Sequence, residues 1–382
     1  MIEDATLSLP PEIDFHTLGM PSEAGPALNR WQGFIQVAPA ATSPPPNPVR
    51  LIAAGENEDW LAHVHGQTGD IPALGAMLLD NVTLSGPGLM FRDGGMLTED
   101  SEPYRVARSF AKAQGVPPAW LIRRERQVQL LDPAILAAGP GHAMWGHWLL
   151  DFLPRVAIAH QALGEAEFAR CVIPLPDETP GWVPALLGAA FGLKPERVMR
   201  YNLRSESVLC RRAVAPTHAH HNYFLHPFLA EFYRSLAASA PSRADLPRRV
   251  LVSRRRFAEA NPQAAHRLAQ EEAFEAAAVA RGFVAVAPET LDIPSQIALF
   301  AHAEAVVGIC GSGLHNAVFS PPGMVVGQIG MPNAHQSRIA ALRGHRLAVL
   351  VPKDVAAEAE MNVDAAGIDA LLDAMAASIA DG

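Results

Sequence analysis

The chain has 382 residues, 49% of them hydrophobic and 18% charged, a balance that can bury a sizeable core and excludes wholesale disorder. Its formal net charge of -9 argues against a protein that coats nucleic acid or an anionic membrane. Three cysteines, Cys171, Cys210 and Cys310, lie too far apart in sequence for a disulfide scaffold or a C-x-x-C zinc pair. At roughly 150 residues per domain the length predicts two domains. The start, Met1-Ile2-Glu3-Asp4, is acidic where a secretory leader is basic, and no run of about 18 apolar residues occurs. A reducing, cytoplasmic location without an integral membrane segment is therefore expected.

In chain order, residues 39–48 contain Ser-Pro-Pro-Pro-Asn-Pro, a stiff connector or exposed loop. Over 81–97, apolar stretches alternate with glycine-rich turns. Asp93-Gly94 is a hairpin signal there, so antiparallel strands are expected. Trp148, Leu149, Phe152, Leu153, Val156 and Ala159 recur at helical spacing, with Pro154 placed to start or kink the helix. A buried strand at 172–175, a helix at 184–191 and a strand at 208–214 follow. Residues 218–236 begin as a histidine-rich loop and end as a helix, and 241–248 has the composition of a linker. Beyond it, strands at 250–253, 283–286, 305–309, 325–326 and 347–351 alternate with helices at 263–281, 295–303 and 334–343. A further helix is expected after the glycine-rich turn at 308–313, and an amphipathic helix at 363–380 closes the chain. Such alternation predicts an open parallel sheet with helices on both faces.

The strongest chemical signal is Gly308-Ile309-Cys310-Gly311-Ser312-Gly313-Leu314-His315-Asn316, which follows an apolar strand and opens a helix. Small residues there admit close backbone approach, and amides at a helix start favour an anion such as a phosphate; a plain tight turn is the alternative. The G-x-G-x-x-G fingerprint fails at Asn316, and the G-x-S-x-G elbow fails at Cys310. At the end of the first strand of the regular half, Ser253-Arg254-Arg255-Arg256 places Arg254 where open α/β sheets bind ligands and where a guanidinium can grip phosphate. Arg267 and Glu271, four apart, form a surface pair, or Glu271 orients an arginine or binds a hydroxyl. His147 and Asp151, also four apart, share one helix face and suit a general base, or else a local hydrogen bond that caps the helix. Trp148 offers a flat surface for a sugar. His218, His220, His221 and His226 make a polar loop or a metal site, but no carboxylate or cysteine joins the run locally, and no Asp-x-Asp occurs in the chain.

These segments, in this order, resemble glycosyltransferase family 61. His147-Trp148-Leu149-Leu150-Asp151-Phe152-Leu153-Pro154-Arg155 reproduces the family's His-Trp-x-x-Asp-x-x-Pro-Arg block. Ser253-Arg254 fits its Ser-Arg, and Arg267-Leu268-Ala269-Gln270-Glu271 fits Arg-x-x-Asn-Glu except at Gln270. Gln296 and Phe300, then Cys310 to Asn316, Phe319 and Pro321-Pro322-Gly323, follow in register, with Cys310 replacing the family's histidine. Gln328 lies near the place where the family usually carries a glutamate.

The resemblance implies an α/β, two-domain glycosyltransferase-B fold with Rossmann-like halves. Its acceptor-side domain would span 1–240, its nucleotide-sugar domain 241–352, with 353–382 packing back as a helix. It implies inverting, metal-independent transfer from a UDP- or GDP-linked sugar, a co-substrate rather than a cofactor, to a glycan acceptor in polysaccharide biosynthesis of the bacterial capsular type. His147 and Asp151 would be catalytic. Ser253, Arg254, Arg267, Glu271, Gly311, Ser312, Gly313, Leu314, His315, Asn316 and Gln328 would bind the donor, and Trp148 and His221 the acceptor. The Cys310 and Gln328 departures raise the alternative of a non-catalytic nucleotide- or glycan-binding relative. Neither nucleic acid nor a metal is an expected partner; a homo-oligomer is compatible.

Overall fold

The computed structural model describes residues 12–14, 33–45, 47–52, 66–93, 95–98, 127–221, 223–241, 245–260, 267–330, 334–352 and 360–381. Gly94 of the expected hairpin, Pro46 of the proline-rich stretch, 242–244 of the linker, 263–266 and 353–359 fall outside the described residues. The chain packs as two compact units, Met1–Ala41 with Ile71–Asn222, and Thr42–Asp70 with Tyr223–Gly382.

The first unit is built on a mixed sheet. Leu74–Ser85 is its long strand, and Gly33–Ala38, Leu89–Arg92 and Glu206–Pro216 all pair with it antiparallel. Met77, Leu79, Val82 and Leu84 from that strand bury a core with Val208, Cys210, Ala213 and Ala215 from Glu206–Pro216. On its other side Glu206–Pro216 pairs in parallel with Gln127–Leu131 and Ala134–Ile135. The chain then alternates strands and helices. Ala134 bridges Val172 in parallel, and Ile173–Pro176 pairs in parallel with Val198–Tyr201, with helices in between. A Rossmann-like first half was expected; the unit is mixed α/β, with parallel pairing in this stretch and antiparallel pairing at the centre of the sheet. A three-residue turn joins Ser85 to Leu89, and a link that short can only join antiparallel neighbours.

The second unit is built on a six-stranded sheet in the order Val284–Val286, Arg249–Val252, Ala305–Ile309, Val325–Ile329, Arg346–Leu350 and Val49–Ile52, every pairing in it parallel. The chain builds outward in one direction from Arg249–Val252, then in the other from Ala305–Ile309, so the order reverses between these two neighbours. The tail helix Ala365–Ala380 packs on Val325–Ile329 and Arg346–Leu350. Gly327 is its seat, since a Cβ there would overlap the Met375 sulfur.

Two expected helices change form. The helix predicted from 263 is Glu271–Ala280, because the backbone before it pairs with the tail: Met361 donates to the Arg267 carbonyl and Ala269 to the Met361 carbonyl. The helix after the glycine turn is a 3-10 helix, Leu314–Phe319, six residues long and buried throughout. Pro321 and Pro322 follow at once and cannot continue it. Among the described residues no helix is long and apolar enough to cross a membrane.

Candidate functional site

In the first unit the chemistry gathers on one helical run: Trp145–His147, a π turn at Trp148–Phe152, and Leu153–Phe168. Pro154 has no amide to donate one turn back, and the ladder before it loosens: the Leu153 amide reaches the Trp148 carbonyl, five residues away. His147 and Asp151 do share a face, with Nδ1 to Oδ2 at 2.6 Å. The other carboxylate oxygen, Oδ1, lies 2.8 Å from Nδ1 of His220. Asp151 is 1% exposed and His147 20%. Burial alone would raise the Asp151 pKa; the charge of His220 and the hydrogen bonds of both imidazoles reverse this and hold the carboxyl well below its usual range. Gly141, at φ +89°, brings its backbone flat against the His147 ring, since a Cβ would stand 2.6 Å from Cδ2.

Trp148 is not a sugar platform. It is fully buried, donates its indole N–H to the His142 carbonyl at 2.7 Å and meets Phe152 and Trp182 edge-on. A flat ring stacks on a sugar only if a face is open, and here the packing that fixes the helix consumes both. The expected acceptor residue His221 is half-buried, while its neighbour His220 holds Asp151. Sequence reasoning named His220 only within the histidine run and missed its tie to Asp151; His220 and His221 form a short strand and point to opposite sides, so the two neighbours part ways. Arg155 is buried, donating Nε to the Pro216 carbonyl at 2.8 Å and NH1 to the Ala137 carbonyl at 2.9 Å.

In the second unit, Ser253-Arg254 and Cys310-Gly311-Ser312-Gly313 leave the carboxyl ends of the two strands between which the sheet order reverses. Open α/β sheets bind ligands at that place. Arg254 donates NH1 to the Cys310 carbonyl at 3.0 Å and its own amide to Glu271 Oε1 at 3.1 Å. Gly311, at φ +145°, leaves room for the guanidinium; a Cβ would stand 2.6 Å from NH1. Among the described residues the amides of Gly311, Ser312 and Gly313 donate to no partner, whereas that of Leu314 is spent on the Gly311 carbonyl and that of His315 on Ser312. The short 3-10 helix adds little macrodipole, so the positive potential comes from Arg254 and the three amides. Burial lowers the Arg254 pKa, opposed by Cys310, Glu271 and Glu289; burial also raises that of Glu271. Ser253 donates to Glu275, which the sequence reading did not single out. Beside Arg254, whose guanidinium lies 5.5 Å from the Phe257 ring centre, an open depression of about 440 Å³ is lined by Arg256, Phe257, Ala260, Glu289 and Thr290.

The family model for Glycosyltransferase 61 matches residues 145–327, from the start of the His147 helix to the strand after the glycine turn. Over that span the chain is similar to glycosyltransferase family 61. No curated protein matches it. The match points to sugar transfer, a reaction that takes a donor and an acceptor substrate. The remaining expected residues separate. Asn316 is buried and shapes the turn: its amide donates to the Gly313 carbonyl at 3.0 Å, and Gln296 donates to its Oδ1 at 3.1 Å. Leu314 and His315 are buried, and the His315 ring lies 5.7 Å from that of His335, tilted by 39°. Arg267 is exposed, and its carbonyl serves the tail.

The departures also find their places. Gln270 reaches the tail, accepting from the Val363 amide at 3.1 Å and donating to Asn362 at 3.2 Å. Cys310 is buried in the sheet core, where a Cβ at Gly330 would overlap its sulfur. It serves the site through its carbonyl. Gln328, 1% exposed, sits inside the strand Val325–Ile329 opposite Gly308, just past the matched span. Among the described residues no group of three or more His, Cys, Asp or Glu is disposed to hold a metal ion.

Proposed function

We propose that this protein transfers a sugar from a nucleotide-sugar, UDP- or GDP-linked, to a glycan acceptor, with inversion, through a glycosyltransferase-B arrangement in the cytoplasm. The observation that carries this is the Arg254 guanidinium held against Gly311, beside three undonated amides, at the reversal point of a parallel sheet. A diphosphate leaving group gains negative charge as its bond to the anomeric carbon breaks. Preorganised donors at that place stabilise it, whether or not a metal takes part. Glu271 and Ser253, at the same strand end as Arg254, would hold hydroxyls beside the phosphates, and the open depression at Phe257 would take the nucleoside. In the first unit His147 is the base: its Nε2 takes the acceptor proton as the oxygen attacks carbon from the side opposite the leaving diphosphate, which inverts the centre.

Arg254→Ala tests the reading. Turnover falls about a hundredfold, the equivalent of about 3 kcal/mol of lost charge stabilisation, and calorimetric affinity for UDP or GDP weakens, while circular dichroism is unchanged. A folded variant that turns over at the parental rate refutes the assignment. A second reading, a binding protein that no longer catalyses, is favoured by Cys310, whose side chain lies in the core where the family places a histidine. It predicts nucleotide binding with neither transfer nor donor hydrolysis.

A further inference from the structure

We propose that His220 is a positioning residue for the proposed base: by taking one oxygen of Asp151 it fixes the carboxylate and sets how much of its charge His147 receives. This rests on the reading of His147 as the base. Asp151 offers Oδ2 to His147 at 2.6 Å and Oδ1 to His220 at 2.8 Å. An ionised carboxylate only accepts, so both Nδ1 atoms carry hydrogen. A neutral His147 therefore keeps its lone pair on Nε2, the form a base needs. The two rings are not equivalent: His147 keeps 20% of its side chain exposed, whereas His220 keeps 1%. Only His147 can meet a substrate.

The placement of His220 is built, not incidental. Asp151 and Arg155 are four residues apart on the helix; Pro216 and His220 are four apart on the facing segment. Asp151 takes His220, and Arg155 takes the Pro216 carbonyl. Thr217 then pins the segment to Gly75 through two hydrogen bonds, at 2.9 and 3.1 Å. The charges acting on Asp151 are those of the two imidazoles. Other titratable groups nearby are engaged elsewhere: Arg155 on carbonyls, His142 on Thr179, Arg212 on Asp132, with Asp80 in register across from Arg212; His218 is buried two residues before His220.

A carboxylate shared by two N–H donors supports each imidazolium less than one devoted to a single ring. His220→Phe therefore moves the His147 titration up by about one pH unit, followed by ¹⁵N–¹H correlation of the imidazoles in the full-length protein. His220→Asn, which keeps an N–H near the Nδ1 position, restores the parental titration. The acid limb of the transfer pH profile moves the same way. An unmoved His147 titration in folded His220→Phe overturns the proposal. Should that variant not fold, the parental spectrum decides: Nδ1–H on both rings supports it, and an Nε2–H tautomer at His220 overturns it. These spectra need no substrate. Failure here thus differs from failure of the base assignment, which would show as full turnover in His147→Ala.

Discussion

Gly311 is the residue on which the proposed anion site turns. Its φ of +145° is open to glycine, and its missing side chain is the space the Arg254 guanidinium occupies. Gly311→Ala is expected to push the guanidinium from the Cys310 carbonyl, weaken UDP or GDP binding at least tenfold by calorimetry, and cost about 1 kcal/mol of stability. Unchanged affinity would separate Arg254 from the phosphates. The same scale explains the departures from the family pattern. Cys310 contributes a carbonyl that any residue could supply, so its side chain was free to join the core. Gln270 uses its extra methylene to reach the Asn362-Val363 backbone and side chain. A spelling comparison registers both as defects, because it cannot tell a side-chain role from a main-chain one.

At the scale of the element, the helical run through Asp151 is fastened by Arg155. Its guanidinium is buried, and it satisfies two carbonyls, that of Ala137, two residues past the strand Ala134–Ile135, and that of Pro216 at the end of Glu206–Pro216. Arg155→Leu leaves both acceptors buried without that donor. The expected loss is about 3 kcal/mol in urea unfolding, with the His147–Asp151–His220 hydrogen bonds loosened as the 216–220 segment drifts. An unchanged unfolding midpoint would mean that water replaces the guanidinium at no cost. The π turn belongs here too. Pro154 was legible in the sequence as a start or kink, and it forces the wide turn that contains Asp151. Its partner was not legible: His220 lies 69 residues away and reaches Asp151 only because Glu206–Pro216 returns alongside Leu74–Ser85.

At the scale of the whole molecule, each unit buries a neutral histidine. Burial pushes His142 in the first unit from 6.5 to about 4, and His345 in the second from 6.5 to about 3. Both folded values are depressed, so their contribution is complete above pH 6.5. It falls as the pH drops toward those values, because the unfolded chain then binds protons that the folded one refuses. Each imidazole steepens the loss by about 1.4 kcal/mol per pH unit. Urea unfolding between pH 7 and 5 should show this slope, and His345→Gln should remove one proton of it; a flat profile would contradict the burial of both rings. The sequence by itself determined the alternation of strands and helices after residue 248, the two motif-bearing turns and the resemblance to glycosyltransferase family 61, because hydrophobic period and glycine spacing are local properties. Only the tertiary structure decided that the sheet reverses between the Arg254 and Gly311 strands, that Trp148 faces inward and that Asp151 serves two histidines. Strand order, burial and pairing are set by contacts between residues far apart in the chain, and no local pattern encodes them.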